Sequence, residues 1–141
     1  MSPAWGVLWA ALATGTFAVV FNVRGRDLAV SALGGGLGWG VYLAVGAAFG
    51  SDGFAYFAAA VAVELYAEIA SRLRSRPATT YVVCAIISLV PGGGMYYMMS
   101  ESLKGDLQGT LSVGFRTLGI AGAIAAGLAV AAGFAPGSPA T

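Results

Sequence analysis

Residues 89–99 read LVPGGGMYYMM. A proline and three consecutive glycines interrupt one of the most apolar parts of the chain. Proline removes a backbone donor and clashes with the preceding helical turn, and each glycine costs a helix about 1 kcal/mol relative to alanine. Yet the surrounding stretch, from about 77 to 102, has the length and apolarity of a membrane span. The two observations are reconciled by a transmembrane helix that kinks or unwinds around its middle or outer third, at Pro91–Gly94. Lipid admits irregular backbone only where protein covers it or water reaches it, so such a break points to a protein-lined or wet interior.

The rest of the chain has the same character. Of 141 residues, 58% are hydrophobic and only 9% charged, with a mean hydropathy of +0.82. A soluble domain carries about 25% charged residues, so this chain cannot clothe a water-facing surface, and its solvent is lipid. Seven Lys/Arg against six Asp/Glu leave a net charge of +1, which gives no electrostatic case for nucleic-acid binding. The absence of histidine and the single cysteine, Cys84, remove the usual zinc sites, His-based triads and any internal disulfide. There is no P-loop, and the glycine run of 34–40 does not fit a dinucleotide fingerprint. A non-enzymatic protein without a cofactor is expected.

Five stretches meet the requirement of about 20 mostly apolar residues, at about 4–21, 28–49, 54–71, 77–102 and 107–134. The expected fold is therefore all-α: a polytopic membrane bundle, residues 1–134, of five helices with the fourth broken. The Pro/Ser-rich tail 135–141 is expected to be disordered. MSPAWGVLWA has no basic residue ahead of its apolar run, so the first segment reads as a retained span rather than a cleaved signal. The connections carry Arg24, Arg26, Arg72, Arg74 and Arg76 on one side and only Lys104 on the other. The positive-inside rule places the arginines in the cytoplasm, with the N-terminus outside and the C-terminus inside.

Gly34/Gly38, Gly36/Gly40 and Gly46/Gly50 recur at four-residue spacing in the second stretch, and Gly119, Ala123, Gly127 and Ala131 do so in the fifth. Such stripes let helix backbones approach closely, within one subunit or against a solute or second subunit. Trp5, Trp9 and Trp39 read as interfacial or packing aromatics. Cys84 reads as a small apolar packing residue. Thr14, Thr16, Thr79, Thr80 and Ser88 either hydrogen-bond a polar solute or back-bond to their own helices.

Four charges fall within the spans: Glu64, Glu68, Glu101 and Arg116. Glu68 is four residues from Arg72, which makes a snorkelling interfacial pair, and Glu101 lies near Lys104. Glu64 is eight residues from Arg72, about 12 Å deeper. Arg116 is nine residues into its span, about 14 Å from the outer end. Both are expected to face the bundle interior near the membrane centre, paired or lining a wet cavity, since intramembrane charges default to functional hypotheses.

The order and spacing of FNVRGRDL (21–28), GGGLGW (34–39), the Glu64 helix ending in ASRLRSRPAT (70–79), and LVPGGGMYY (89–97) resemble the threonine/serine exporter family. The resemblance is to its C-terminal five-span half, or to the short separate subunit that corresponds to it, and runs from about Gly15 to Gly133. One departure is Ser88, where members usually carry a second proline, implying a milder break. The resemblance implies a subunit of a secondary transporter that exports threonine and serine, or dicarboxylates, across the bacterial cytoplasmic membrane. It also implies a larger membrane subunit as partner, with a homo-oligomer as the other arrangement. The family's key polar residues lie mostly in the other half, so none is carried over. The residues expected to line the transport path, Pro91, Gly92, Gly93, Gly94, Tyr96, Glu64 and Arg116, come from this chain's own pattern, and a small carboxylate-bearing solute is the expected cargo. A membrane scaffold and a homo-oligomeric channel are the alternatives.

Overall fold

The computed structural model describes residues 2–135, and their regular structure is entirely helical. Helix α1 spans Pro3–Val20, α2 Arg26–Phe49, α3 Asp52–Arg74, α4 Ala78–Ile86, α5 Gly92–Leu103 and α6 Leu107–Phe134, with a 3-10 turn at Ile87–Leu89 after α4. Four of these helices are long and apolar enough to cross a membrane. Ala78–Leu89 and Gly92–Leu103, bent by 47° at their junction, are together long and apolar enough for up to a fifth crossing. The chain is thus an all-α, multi-pass membrane bundle with its fourth span broken. The tail expected to be disordered lies, from residue 136 on, outside the described residues.

Local chemistry sets the helix ends. Pro3 stands in the first turn of α1, where its missing N–H costs nothing. The Ser51 hydroxyl accepts from the Phe54 N–H at the start of α3, and the Asp106 carboxylate accepts from Gly109 N–H at 2.9 Å at the start of α6. Gly50 closes α2 in the left-handed region, at φ 66°.

Successive helices α1, α2 and α3 are antiparallel, and α4 lies against α2 and α3. Helix α6 packs on α3 and α5. It runs parallel to α3, because Arg116 reaches Asp52 while Gly127 lies against Phe57 and Ala60 further along. The core joins Ala59, Ala60 and Val63 of α3 to Ala85 and Leu89 of the fourth span and Ile124 of α6. Leu89 and Val63 both border Gly38, which lies near the midpoint of α2 as Val63 does of α3.

The glycine stripes of α2 serve two neighbours. Gly34 and Gly38 admit Tyr66, Val63 and Leu89 on one face, while Gly36 and Gly40 admit Val7 and Ala11 of α1 on another. On α6 only part of the stripe is used. A Cβ at Gly127 would lie 2.6 Å from the Phe57 carbonyl oxygen, whereas nothing stands within 4 Å of one at Gly119. Trp39 joins a packed aromatic run, its ring centroid 4.9 Å from that of Tyr42, which is 4.5 Å from Tyr56.

Candidate functional site

The break in the fourth span begins where the chain leaves the core. Leu89 is buried, and Val90 one residue later is half exposed. Val90 is extended, and Pro91 adopts φ −76° and ψ 56°, so that Gly92 N–H donates to the Val90 carbonyl at 2.7 Å. This is an inverse γ-turn, with the fixed φ of proline at its centre. The first helical bond of α5 is Met95 N–H to the Pro91 carbonyl, at 3.2 Å. The N–H groups of Gly93 and Gly94 have no such bond, as expected at a helix start.

The three glycines are not equivalent. Around Gly92 and Gly93 there is open space, but a Cβ at Gly94 would overlap the Thr117 hydroxyl of α6. Gly94 therefore seats the start of α5 on α6, and Gly92 and Gly93 leave the adjoining backbone approachable. One turn on, Met98 lies over Gly114. Helix α5 has no buried residue: Met95, Tyr96, Tyr97 and Met99 are all exposed, the two tyrosine rings meeting edge to face at 5.6 Å.

Glu64 follows Val63 directly, so it lies at the depth of Leu89, near the middle of the bundle. It is partly exposed and has no hydrogen bond or ion pair among the described residues. Arg116 is elsewhere. Its guanidinium pairs with Asp52, the first residue of α3, twelve residues from Glu64 or about 18 Å along the axis. Of the two arrangements expected for Glu64 and Arg116, the direct pair is therefore not formed. Helix α6 overshoots α3 at this end, so nine residues into α6 is only level with the start of α3. Glu68 pairs with Arg72 at 3.4 Å and Glu101 with Lys104 at 2.8 Å, as their spacing predicts. The Glu101 carboxylate also holds the Lys104 ammonium above its usual range.

A second polar cluster, absent from the sequence reading, closes the arginine-rich end. The Asp27 carboxylate is buried. It accepts from Arg74 Nε at 2.7 Å and from the Tyr81 hydroxyl at 2.9 Å, and Arg76 Nε stands at 3.4 Å from its second oxygen. One carboxylate thereby ties the start of α2 to the end of α3 and to α4. Asp27 opens an apolar helix, a signal that was available. Its partners lie 47 and 54 residues away, and no periodicity announces them.

A bundle of membrane-crossing helices, with one span opened at mid-depth and a lone carboxylate at the same level, has the architecture of a membrane transport protein. Residues 6–133 match the family described as Threonine/Serine exporter, ThrE, and the chain belongs to that family. Comparison with curated proteins and with solved structures returns no match. Among the described residues there is no cluster of three or more His, Cys, Asp or Glu side chains suited to a metal ion.

Proposed function

We propose that this chain is a non-enzymatic subunit of a secondary transporter that exports small amino acids such as threonine and serine, or dicarboxylates, across the cytoplasmic membrane. The observation that carries this reading is the opened fourth span within the family-matched region. The free N–H groups at the start of α5, beside open space at Gly92 and Gly93, suit a solute carboxylate, because a helix amino terminus favours negative charge. In this reading Pro91, Gly92, Gly93, Gly94 and Tyr96 line the path. Glu64 is the carboxylate that takes up and releases a proton, and Arg116 with Asp52 forms a charged mouth at the outer end.

Helix α5 offers exposed aromatic and methionine side chains and rests on α6 alone among its major contacts. A larger membrane subunit of the same family is the partner proposed to cover it, since alternating access needs two structural halves around a site. The arginine-rich connections are assigned to the cytoplasm, with the N-terminus outside.

The test is efflux of radiolabelled threonine, serine and succinate from proteoliposomes holding this chain with and without the candidate partner. Gradient-dependent efflux that requires both chains is expected. Gradient-independent flux through this chain alone would replace the proposal with a homo-oligomeric channel, and no efflux of any solute with both chains present would leave a scaffold.

A further inference from the structure

The five arginines that share one end of the bundle are not used alike by the fold. Arg72 pairs with Glu68, and Arg74 and Arg76 both face the Asp27 carboxylate. Arg24 and Arg26 are exposed and have no hydrogen bond or ion pair among the described residues. Glu68 and Asp27 are already engaged, while Asp52, Glu101 and Asp106 stand at the opposite end of the bundle. The arginine end is therefore left with a cationic surplus, carried by the first connection.

That connection is firmly held. Val23 is buried in a cluster with Ala18 and Cys84, and its N–H donates to the Ala18 carbonyl at 2.9 Å. Asn22 N–H donates to the Val19 carbonyl at 3.0 Å. Asn22 and Gly25 adopt the left-handed region, at φ 61° and 68°, which turns the chain tightly from α1 into α2. Arg24 and Arg26 thus leave fixed backbone, with their Cα atoms no more than about 7 Å apart. Just before them, Phe17, Val20 and Phe21 are 43%, 76% and 49% exposed and recur at the spacing of one helix face. At the end of a membrane-crossing helix that face meets hydrocarbon, which sets the two guanidinium groups at the level of the lipid headgroups.

We propose that Arg24 and Arg26 bind the phosphate diester of an anionic phospholipid whose acyl chains lie along Phe17, Val20 and Phe21. Charge complementarity selects this occupant. A guanidinium is permanently charged, and its planar fork donates two N–H bonds to one phosphate. A zwitterionic headgroup offers the same phosphate with its own cation beside it, and so competes poorly. A soluble phosphate matches the arginines but leaves the apolar face beside them unused. Such binding holds whichever solute the protein exports and whichever leaflet this end occupies.

Native mass spectrometry of the full chain reads this directly, in detergent titrated with phosphatidylglycerol, cardiolipin or phosphatidylcholine. The two anionic lipids are expected to stay bound in preference to phosphatidylcholine. Arg24→Gln or Arg26→Gln should weaken their retention about fivefold, and the double variant about 25-fold. Lys104→Gln, which removes an exposed positive charge at the opposite end, should retain lipid as the unmodified chain does. Equal retention of all three lipids overturns the proposal. Anionic-lipid retention that the double variant does not diminish, or that Lys104→Gln diminishes as far, overturns the placement. Release of the lipid by an equal concentration of inorganic phosphate gives the pair to a soluble anion and overturns the lipid assignment. If the double variant fails to fold, the single variants and the lipid preference of the unmodified chain decide.

Discussion

Thr117 of α6 occupies the space that a side chain on Gly94 would need. The glycine run after Pro91 therefore does two jobs: Gly94 allows contact, while Gly92 and Gly93 leave backbone open. Alanine scanning should separate them. Gly94→Ala is expected to push α5 off α6 and lower the unfolding midpoint, with partial recovery in Gly94→Ala/Thr117→Gly. Gly92→Ala and Gly93→Ala should leave stability unchanged or raise it by up to about 1 kcal/mol, and on the transport proposal should slow efflux. Equal stability loss at all three positions would contradict the geometry.

The close approach of α6 to α3 makes a second prediction. Gly127→Ala drives a methyl to 2.6 Å from the Phe57 carbonyl oxygen, and helix backbone cannot swing aside as a side chain does. A loss of about 1–3 kcal/mol is expected, the usual cost of overpacking. Gly119→Ala and Gly122→Ala meet nothing within 4 Å and should be neutral or mildly stabilising. Thermal unfolding in one detergent compares the three directly.

Tyr81 is fully buried and spends its hydroxyl on Asp27. Tyr81→Phe should cost about 1–3 kcal/mol, as for a hydrogen bond to a charged group. Asp27→Asn should cost more than Tyr81→Phe, because it removes the charge that both arginines face. Proteolysis should show the 75–77 connection cut faster in either variant, and an unaltered cutting rate would separate the cluster from the closure of this end.

Arg116 and Asp52 form an exposed pair, with 71% and 51% of their side chains accessible. Exposed pairs contribute about 1 kcal/mol or less, so Arg116→Gln should barely move the unfolding midpoint. If the proposed charged mouth is real, the same variant should raise the half-saturating solute concentration for efflux. A stability loss that Asp52→Asn fails to reproduce would show that Arg116 has another partner.

Orientation can be read by labelling. Cys84 is buried and should resist maleimide until the protein unfolds. In a Cys84→Ala background, a cysteine replacing exposed Ser51 should react with an impermeant reagent from outside intact cells. One replacing Ser75 should react only after permeabilisation, and the reverse pattern would invert the proposed topology.

Local signals made much of this protein legible. Pro91 with three glycines announces its own break, and Glu68–Arg72 is a single-turn relation that spacing alone predicts. The glycines of α2 show that some helix comes close, but not that two faces receive two different helices, since that depends on the order of packing. Arg116 lies level with the start of α3 for a physical reason that spacing within one helix does not show: α6 is about 42 Å long and extends past its neighbour. The Asp27 cluster stayed hidden because its members belong to three separate helices and the connection between two of them.

Asp27 enters the chain well before the groups that satisfy it. A nascent protein that ends short of Arg74 carries α1 and α2 with a carboxylate that still lacks the Arg74, Arg76 and Tyr81 partners it has in the finished bundle. Arg74 and Arg76 first hold their side of the membrane by their charge, and then spend that charge on Asp27. The Asp27 cluster is therefore complete only once α3, the connection after it and Tyr81 of α4 have all reached this end.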